Sequence, residues 1–223
     1  MKPPTAGYYR LPTQVIHIGS ALSQIPVKSY LVGGVLRDSI LGTTNPDVDI
    51  VVVGSALDVS KKVATIMNGK SFPLDTSRDI YRVLAKVSET EIQIDIASAQ
   101  NGISSDIEKR DFTINSLALD VNDVNCNDGV PRFEISKIID EHRGIEDILN
   151  GSLRMTSSQV FKKDPLRILR GARLTAQYNL DIDKYTETQI KESSSLISRV
   201  SSERIRDEFL KLLSLQQSTR NLT

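Results

Sequence analysis

Apolar and polar residues follow two different periods along this chain, and the change between periods outlines its elements. Residues 13–24 place apolar side chains at helical spacing before Pro26, which predicts an amphipathic helix. Residues 30–32 form a short apolar run that predicts a buried strand. The stretches 79–87 and 91–98 alternate apolar and polar residues about a Ser-Glu-Thr turn, which predicts two strands.

Apolar residues at helical spacing occur in one further stretch of the first half of the chain and in most of the second half. It predicts four further helices, over residues 56–69, 161–178, 185–198 and 202–215. The predicted apolar stripe of the second of these consists of Ile168, Leu169, Ala172 and Ala176. Three arginines lie on its other side, Arg167, Arg170 and Arg173. Such a row is typical of a solvated helix face, and it also suits an anionic ligand.

The stretch 30–53 combines residues suited to binding phosphate with residues suited to binding a metal ion, close together in sequence. After the strand at 30–32, Gly33 and Gly34 predict a turn in which backbone N–H groups approach a ligand without interference from a Cβ atom. A helix then starts near Val35, and Arg37 lies one turn into it. Free N–H groups at a helix N-terminus with a nearby guanidinium predict an anion cradle suited to phosphate.

A strand follows in which Asp47 and Asp49 alternate with Val48 and Ile50. Both carboxylates therefore point to one face of the sheet, and their backbone positions lie roughly 6.5 to 7 Å apart. Carboxylates at this spacing suit Mg²⁺, which keeps several waters and accepts oxygens from substrate phosphates. An isolated Gly-Gly is usually only a turn, and an isolated Asp-x-Asp is usually only a solvated strand. Their occurrence together, in this order, is a more specific indication of a phosphate and metal site.

Asp95 lies between Ile94 and Ile96 on the predicted strand 91–98. A carboxylate there is either a third metal ligand or part of a solvated sheet face. The two interpretations remain open from the sequence, and the metal site is predicted from Asp47 and Asp49 alone.

Composition narrows the class of protein. The 223 residues carry 28 basic and 28 acidic side chains, a formal net charge of +0, which excludes binding to RNA by bulk attraction alone. Cys126 is the only cysteine, so an intrachain disulfide and a cysteine-rich zinc site are excluded. No apolar run reads as a signal peptide or a membrane span, so a cytoplasmic protein without a membrane partner is predicted.

Two stretches of this sequence resemble a known family. The run GGVLRD followed by DVD, and the segment KRDFTIN at 109–115, are similar to motifs of the class II tRNA nucleotidyltransferases and bacterial poly(A) polymerases. Lys109 replaces the first arginine of the second motif, and Ser116 replaces its alanine. The resemblance implies an α/β nucleotidyltransferase head, a small mixed sheet with flanking helices, over residues 1–152. An all-α neck is expected over residues 153–223.

The neck carries a third similarity. In the family, a Glu-Asp-x-x-Arg motif selects the nucleotide base, and here it corresponds to Lys163, Asp164 and Arg167, with Lys163 in place of glutamate. Residues three apart on a helix point into the same space, so Asp164 and Arg167 could hydrogen-bond the edge of a base. Arg173 lies half a turn away from Asp164 and is expected to reach phosphate or to stabilise the helix.

The resemblance implies a set of roles. Asp47 and Asp49 would be catalytic and hold Mg²⁺; the nucleotide would be bound by Gly33, Gly34, Arg37, Arg110, Asp111, Asp164, Arg167, Arg170 and Arg173. The expected reaction is template-independent addition of CMP or AMP, from CTP or ATP, to an RNA 3′ end, tRNA above all. Few residues separate strand 91–98 from Lys109, and in this family a shortened loop here favours enzymes that add only C. The alternatives are a poly(A) polymerase and a non-catalytic nucleotide- or RNA-binding remnant.

Overall fold

The computed structural model describes residues 7–43, 47–87, 89–126 and 128–220, and their side chains as far as residue 215. The chain forms two compact units: Met1–Ile107 with Leu117–Glu141, and Glu108–Ser116 with His142–Thr223. The second unit therefore includes a segment that lies inside the first in sequence. The predicted boundary between a head domain and a neck domain after residue 152 stays a prediction.

A six-stranded mixed sheet is the centre of the first unit. In chain order its strands are β2 (Ser29–Val32), β3 (Val48–Val52), β4 (Lys70–Asp75), β5 (Ile80–Val87), β6 (Thr90–Ser98) and β7 (Ala118–Asp120). Their spatial order is β4-β5-β6-β3-β2-β7, and only β3 and β6 of these pair in parallel. Outside this sheet, β1 (Tyr8–Arg10) pairs antiparallel with β8 (Arg132–Glu134). The predicted mixed sheet is confirmed.

Helices of the first unit pack against the sheet on both of its faces. The first unit contains α1 (Gln14–Leu22), α2 (Gly34–Leu41), α3 (Ala56–Ile66) and α4 (Ile103–Ile107). Ser55 caps α3 by accepting the N–H of Asp58, as the sequence indicates. Helix α3 lies against β4, β5 and β6, where Val83 and Ile94 are fully buried. The period-two pattern of the strands therefore follows from burial of one face.

The other face of the sheet is covered at one end only. Tyr30, Val32 and Val51 lie on it and form a buried cluster with Ala99 and Ile107, from the segment that follows β6. At the other end of the same face the side chains are polar or partly exposed, beginning with Asp49. The predicted strands at 30–32, 79–87 and 91–98 are confirmed, whereas β4 gave no sequence signal because Phe72, Pro73 and Leu74 are all exposed.

The second unit is mainly helical. Its elements are α5 (Gly144–Asn150), β9 (Ser152–Leu153), α6 (Val160–Lys163), α7 (Leu166–Tyr178), β10 (Asp181–Ile182), α8 (Lys184–Ser193) and α9 (Ser202–Arg220). The two short strands pair in parallel. Phe112 and Phe161 are fully buried, with ring centroids 6.2 Å apart, and α7 packs against α9. The predicted helical second part is confirmed.

Two predictions about the helix at 161–178 are wrong. The helix is interrupted, because Asp164 precedes a proline and adopts an extended conformation with φ −149°. The buried stripe of α7 is Ile168, Gly171 and Leu174, whereas Ala172 and Ala176 are exposed. A Cβ atom on residue 171 would lie 2.9 Å from Cζ of Phe112, so this buried ring approaches the helix closely only because residue 171 is glycine.

Candidate active site

Asp49 lies on the polar end of the sheet face, and Asp47 directly precedes the strand that carries it. Both residues are exposed, whereas Val48 and Ile50 are each 1% exposed. Asp49 lies within β3 and is the direct Cα partner of Asp95 on the parallel strand β6. The alternation predicted from the sequence is therefore present from Val48 onward and places Asp49 and Asp95 on one face, whereas Asp47, predicted to lie in the strand, directly precedes it.

An arginine lies beside these acids. Arg82 is the direct cross-strand partner of Asp95, and its Nε and Nη2 donate to the two carboxylate oxygens of Asp95 at 2.7 Å each. The bond with Asp95 and the negative charges of Asp95, Asp47 and Asp49 raise the pKa of the Arg82 guanidinium, although partial burial opposes this. The charge of Arg82 thus offsets part of the repulsion among the three acids.

This donor set fits a divalent cation that keeps other ligands. Within the described part of the chain, no group of three or more His, Cys, Asp or Glu side chains is arranged to hold a metal ion. Both carboxylate oxygens of Asp95 accept from Arg82, so Asp95 is paired with a cation of the protein itself. Mg²⁺ is commonly held by one or two carboxylates, with waters and phosphate oxygens completing its shell, which Asp47 and Asp49 can provide.

The glycine turn and Arg37 are placed next to this strand. Gly33 has φ +70°, a conformation that glycine adopts at little cost, and its N–H donates to the Leu117 carbonyl at 3.1 Å. Gly34 begins α2. The Arg37 side chain is 7% exposed and pairs with Asp38 at 2.9 Å. These residues form the predicted strand, turn and helix, and their contact with phosphate stays a prediction.

In the second unit, Asp111 is a buried acceptor. One carboxylate oxygen accepts from the Phe112 N–H at 2.8 Å and from Asn115 Nδ2 at 3.0 Å; the other accepts from Arg170 Nη1 at 3.0 Å. Burial raises the pKa of Asp111, but the charge of Arg170 and these hydrogen bonds outweigh it and lower that pKa below its usual range. Asp111 is thus a charged carboxylate that positions Arg170.

Arg170 and Arg110 lie beside this carboxylate. The side chain of Arg170 is 43% exposed, so part of its guanidinium reaches solvent while Nη1 is held by Asp111. Arg110 donates from Nη1 to the Asn115 carbonyl at 3.4 Å. Two guanidinium groups are therefore fixed around the same short segment, at positions from which an anion can be bound.

The predicted base-reading pair has additional partners. Asp164 accepts from Arg204 Nη2 of α9 at 2.8 Å, and from the Leu166 N–H at 3.3 Å. Burial raises the pKa of Asp164, but the hydrogen bond and charge of Arg204 outweigh burial and lower it. Arg167 donates from Nη2 to the Lys109 carbonyl at 2.8 Å. Asp164 and Arg167 therefore lie near one another at the start of α7, each with a fixed orientation.

Arg173 makes a different set of contacts. Its Nε donates to Glu208 of α9 at 2.6 Å, and its Nη1 donates to Gln177 at 2.9 Å. The side chains of Arg173 and Glu208 are only 18% and 4% exposed. Of the two roles expected for Arg173, the structure supplies contacts for helix stabilisation.

Sequence reasoning missed three contributors to these clusters: Arg82, Arg204 and Glu208. Arg82 lies on the strand that pairs with the Asp95 strand and faces the same side, which only the register of β5 against β6 establishes. Arg204 and Glu208 contribute through the packing of α9 against α7.

These arrangements agree with comparisons to known proteins. The family described as "Poly A polymerase head domain" matches residues 29–154, and that described as "Probable RNA and SrmB- binding site of polymerase A" matches residues 179–223. The chain belongs to the class II CCA-adding enzyme and poly(A) polymerase family. Enzymes of this nucleotidyltransferase family generally use a divalent metal.

Individual relatives share this membership. The CC-adding tRNA nucleotidyltransferase of Geobacter sulfurreducens is 35% identical over 188 residues, 84% of this chain and 40% of the relative. A CCA-adding enzyme solved with CTP has a TM-score of 0.76 and 29% identity, covering 96% of this chain and 50% of that one. The Thermotoga maritima CCA-adding enzyme complexed with tRNA has a TM-score of 0.74 and 28% identity, covering 92% and 50%.

The chain therefore spans half or less of the length of these relatives. Among the residues that the structure describes, no helix has the length and apolar character needed to cross a membrane.

Proposed function

We propose that this protein transfers nucleotides without a template from CTP or ATP to the 3′ end of tRNA, and that it adds C in preference to A. The observation that carries the proposal is the exposed pair Asp47 and Asp49 at the start of β3, beside the glycine turn that precedes α2. The family's motifs coincide with this geometry, and relatives that carry them act on tRNA.

Asp47 and Asp49 would hold Mg²⁺. When bound, the metal would favour deprotonation of the RNA 3′-hydroxyl and neutralise charge on the triphosphate and on the pyrophosphate leaving group. The protein's own contribution is positional: β3 fixes Asp49 on the polar face, Asp47 directly precedes this strand, and the charge of Arg82 lowers the repulsion among these acids.

The second unit would bind the nucleotide. Arg110 and Arg170 are oriented around Asp111 and offer guanidinium donors to the triphosphate. Asp164 and Arg167 offer an acceptor and donors to the Watson–Crick edge of the base. Because Arg204 and the Lys109 carbonyl already orient these two side chains, little conformational freedom is lost when a nucleotide binds.

The preference for C rests on the connection that follows β6. Ala99, Ile103 and Ile107 of this connection pack into the buried cluster on the sheet. The short segment is thus packed in the core. In this family, the addition of A after C is associated with a long flexible loop at this place. CC-adding, A-adding and CCA-adding enzymes all occur among the relatives, so the preference for C rests on the short connection.

Extension of a tRNA transcript that lacks its 3′ CCA, with Mg²⁺ and either CTP, ATP or both, tests the proposal. Addition of two C residues from CTP, and no A, is expected. Asp47→Ala should abolish extension with an unchanged circular-dichroism spectrum, whereas Asp58→Asn, an exposed aspartate on α3, should leave extension unchanged.

Other products would assign other functions. A long A tail would indicate a poly(A) polymerase, and nucleotide binding without pyrophosphate release would indicate a non-catalytic remnant. Extension by Asp47→Ala would refute the proposed metal site. We place the protein in the cytoplasm, where its tRNA substrate and a reduced, exposed Cys126 thiol are both expected.

A further inference from the structure

A row of directly paired residues crosses the sheet from its edge to the catalytic strand. Phe72 of β4 pairs with Arg82, Arg82 pairs with Asp95, and Asp95 pairs with Asp49. Directly paired residues project to the same face of a sheet. Phe72 therefore lies on the face that carries the acids, about 14 Å from Asp49 along the sheet, since three strand spacings of about 4.8 Å separate them.

This edge of the face is apolar and exposed. Phe72 is 38% exposed and Leu84, on the neighbouring strand, is 44% exposed. Leu84 pairs with Lys70 of β4, so both lie on this same face, next to Phe72. An exposed aromatic ring, an aliphatic neighbour and a lysine thus form one surface, here named the edge patch: Lys70, Phe72 and Leu84.

We propose that the edge patch binds the single-stranded 3′ end of the RNA by stacking a base on Phe72. The inference rests on the proposed function, because the RNA 3′-hydroxyl must reach Asp47 and Asp49. Single-stranded RNA is commonly bound by aromatic rings on an open sheet surface, with nearby cations contacting the backbone. A separation of about 14 Å places a base a few nucleotides from the reacting end above the ring.

A nucleic acid suits this surface better than a second protein strand. β4 is an edge strand of the sheet, but Pro73 lacks the N–H that an added strand would need, and the pairing with β5 shifts between Pro73 and Asp75. Lys70 is exposed beside the ring and complements the negative RNA backbone. Stacking also requires no sequence code, so it suits a surface that holds a changing 3′ end.

Steady-state extension assays with separate titrations of RNA and CTP test the edge patch. Phe72→Ala is expected to raise the KM for RNA about tenfold, from typical base-stacking energies, while leaving the KM for CTP unchanged. Phe72→Trp should restore the wild-type KM, and Phe72→Leu should not. Ile66→Ala is the matched control, because Ile66 is an apolar residue 40% exposed on α3, and it should not change either constant.

Three results would overturn the edge patch as an RNA site: an unchanged KM for RNA in Phe72→Ala, full rescue by Phe72→Leu, or a KM change that Ile66→Ala reproduces. Sedimentation velocity gives a fourth, since loss of a dimer in Phe72→Ala would show that a second copy covers the patch.

Binding of fluorescein-labelled RNA to the wild type and Phe72→Ala, without nucleotide, separates this proposal from the proposed function. If the wild type binds RNA through Phe72 but adds no nucleotide, the edge patch stands and the enzymatic function fails. If the wild type extends RNA and Phe72→Ala binds it equally well, only the edge patch fails. A wild type that does neither contradicts both.

Discussion

The ion pair between Arg173 and Glu208 should stabilise the second unit by a measurable amount. Glu208 is 4% and Arg173 18% exposed, so removing either partner leaves a largely buried charge on the other. Removal of one member of a buried pair typically costs about 3 to 5 kcal/mol, and the partial exposure of Arg173 reduces this to about 2 to 4 kcal/mol. In a chain of this size that corresponds to a fall in Tm of roughly 4 to 16 °C.

Thermal and urea unfolding of Arg173→Ala, Glu208→Ala and the double variant, followed by circular dichroism, would measure the effect. Because each single variant leaves the other residue's charge buried without its partner, and the double variant leaves neither, the double variant should lose less than the sum of the two losses. Lys191→Ala removes an exposed ion pair with Glu187 and should cost under about 1 kcal/mol, which makes it the matched control. Additive losses, or single losses as small as that control, would refute the stabilising role.

Two further predictions concern the core of the second unit. Gly171→Ala should lower the Tm in thermal unfolding, although alanine favours helices by about 1 kcal/mol, because the added Cβ would press on the buried Phe112 ring at a cost of about 1 to 3 kcal/mol; a raised Tm would contradict the close approach. Asp111 has a lowered pKa, so its charge stabilises the fold above its unfolded pKa of about 3.9 and this contribution is lost as the pH falls through the lowered value. Urea unfolding of Asp111→Asn should therefore show a deficit at pH 7 that narrows below about pH 4, whereas a deficit independent of pH would show that charge is not involved.

The sequence predicted those features that depend on the local periodicity of apolar and polar residues. Asp49 lies on an exposed face, between the buried Val48 and Ile50, because strand side chains alternate, and this needs no knowledge of the neighbouring strands. Arg82 could not be assigned to the same cluster without the register of β5 against β6. The partner of Asp95 likewise depends on this register, since Arg82 donates to both of its carboxylate oxygens.

The helix at 161–178 shows the limit of periodicity. Its arginines were placed on the face away from the core, yet Arg173 is largely buried because Glu208 of α9 accepts from it. Gly171 gave no apolar signal, although its lack of a side chain makes room for Phe112. A helical wheel contains no information about residues on other elements. It therefore cannot show that a charged side chain has a buried partner, or that a glycine makes room for a ring.

The interleaved chain path of the second unit limits how this protein can be divided or recombined. Phe112 and Asp111 belong to the second unit, but the residues on both sides of Glu108–Ser116 belong to the first. A fragment ending at residue 141 would carry Phe112 without the helix that buries it, and a fragment beginning at 142 would lack the acceptor for Arg170. No single cut yields two self-sufficient pieces, so gene fusions or exchanges between relatives are expected to preserve folding only when their junctions lie outside residues 108–220.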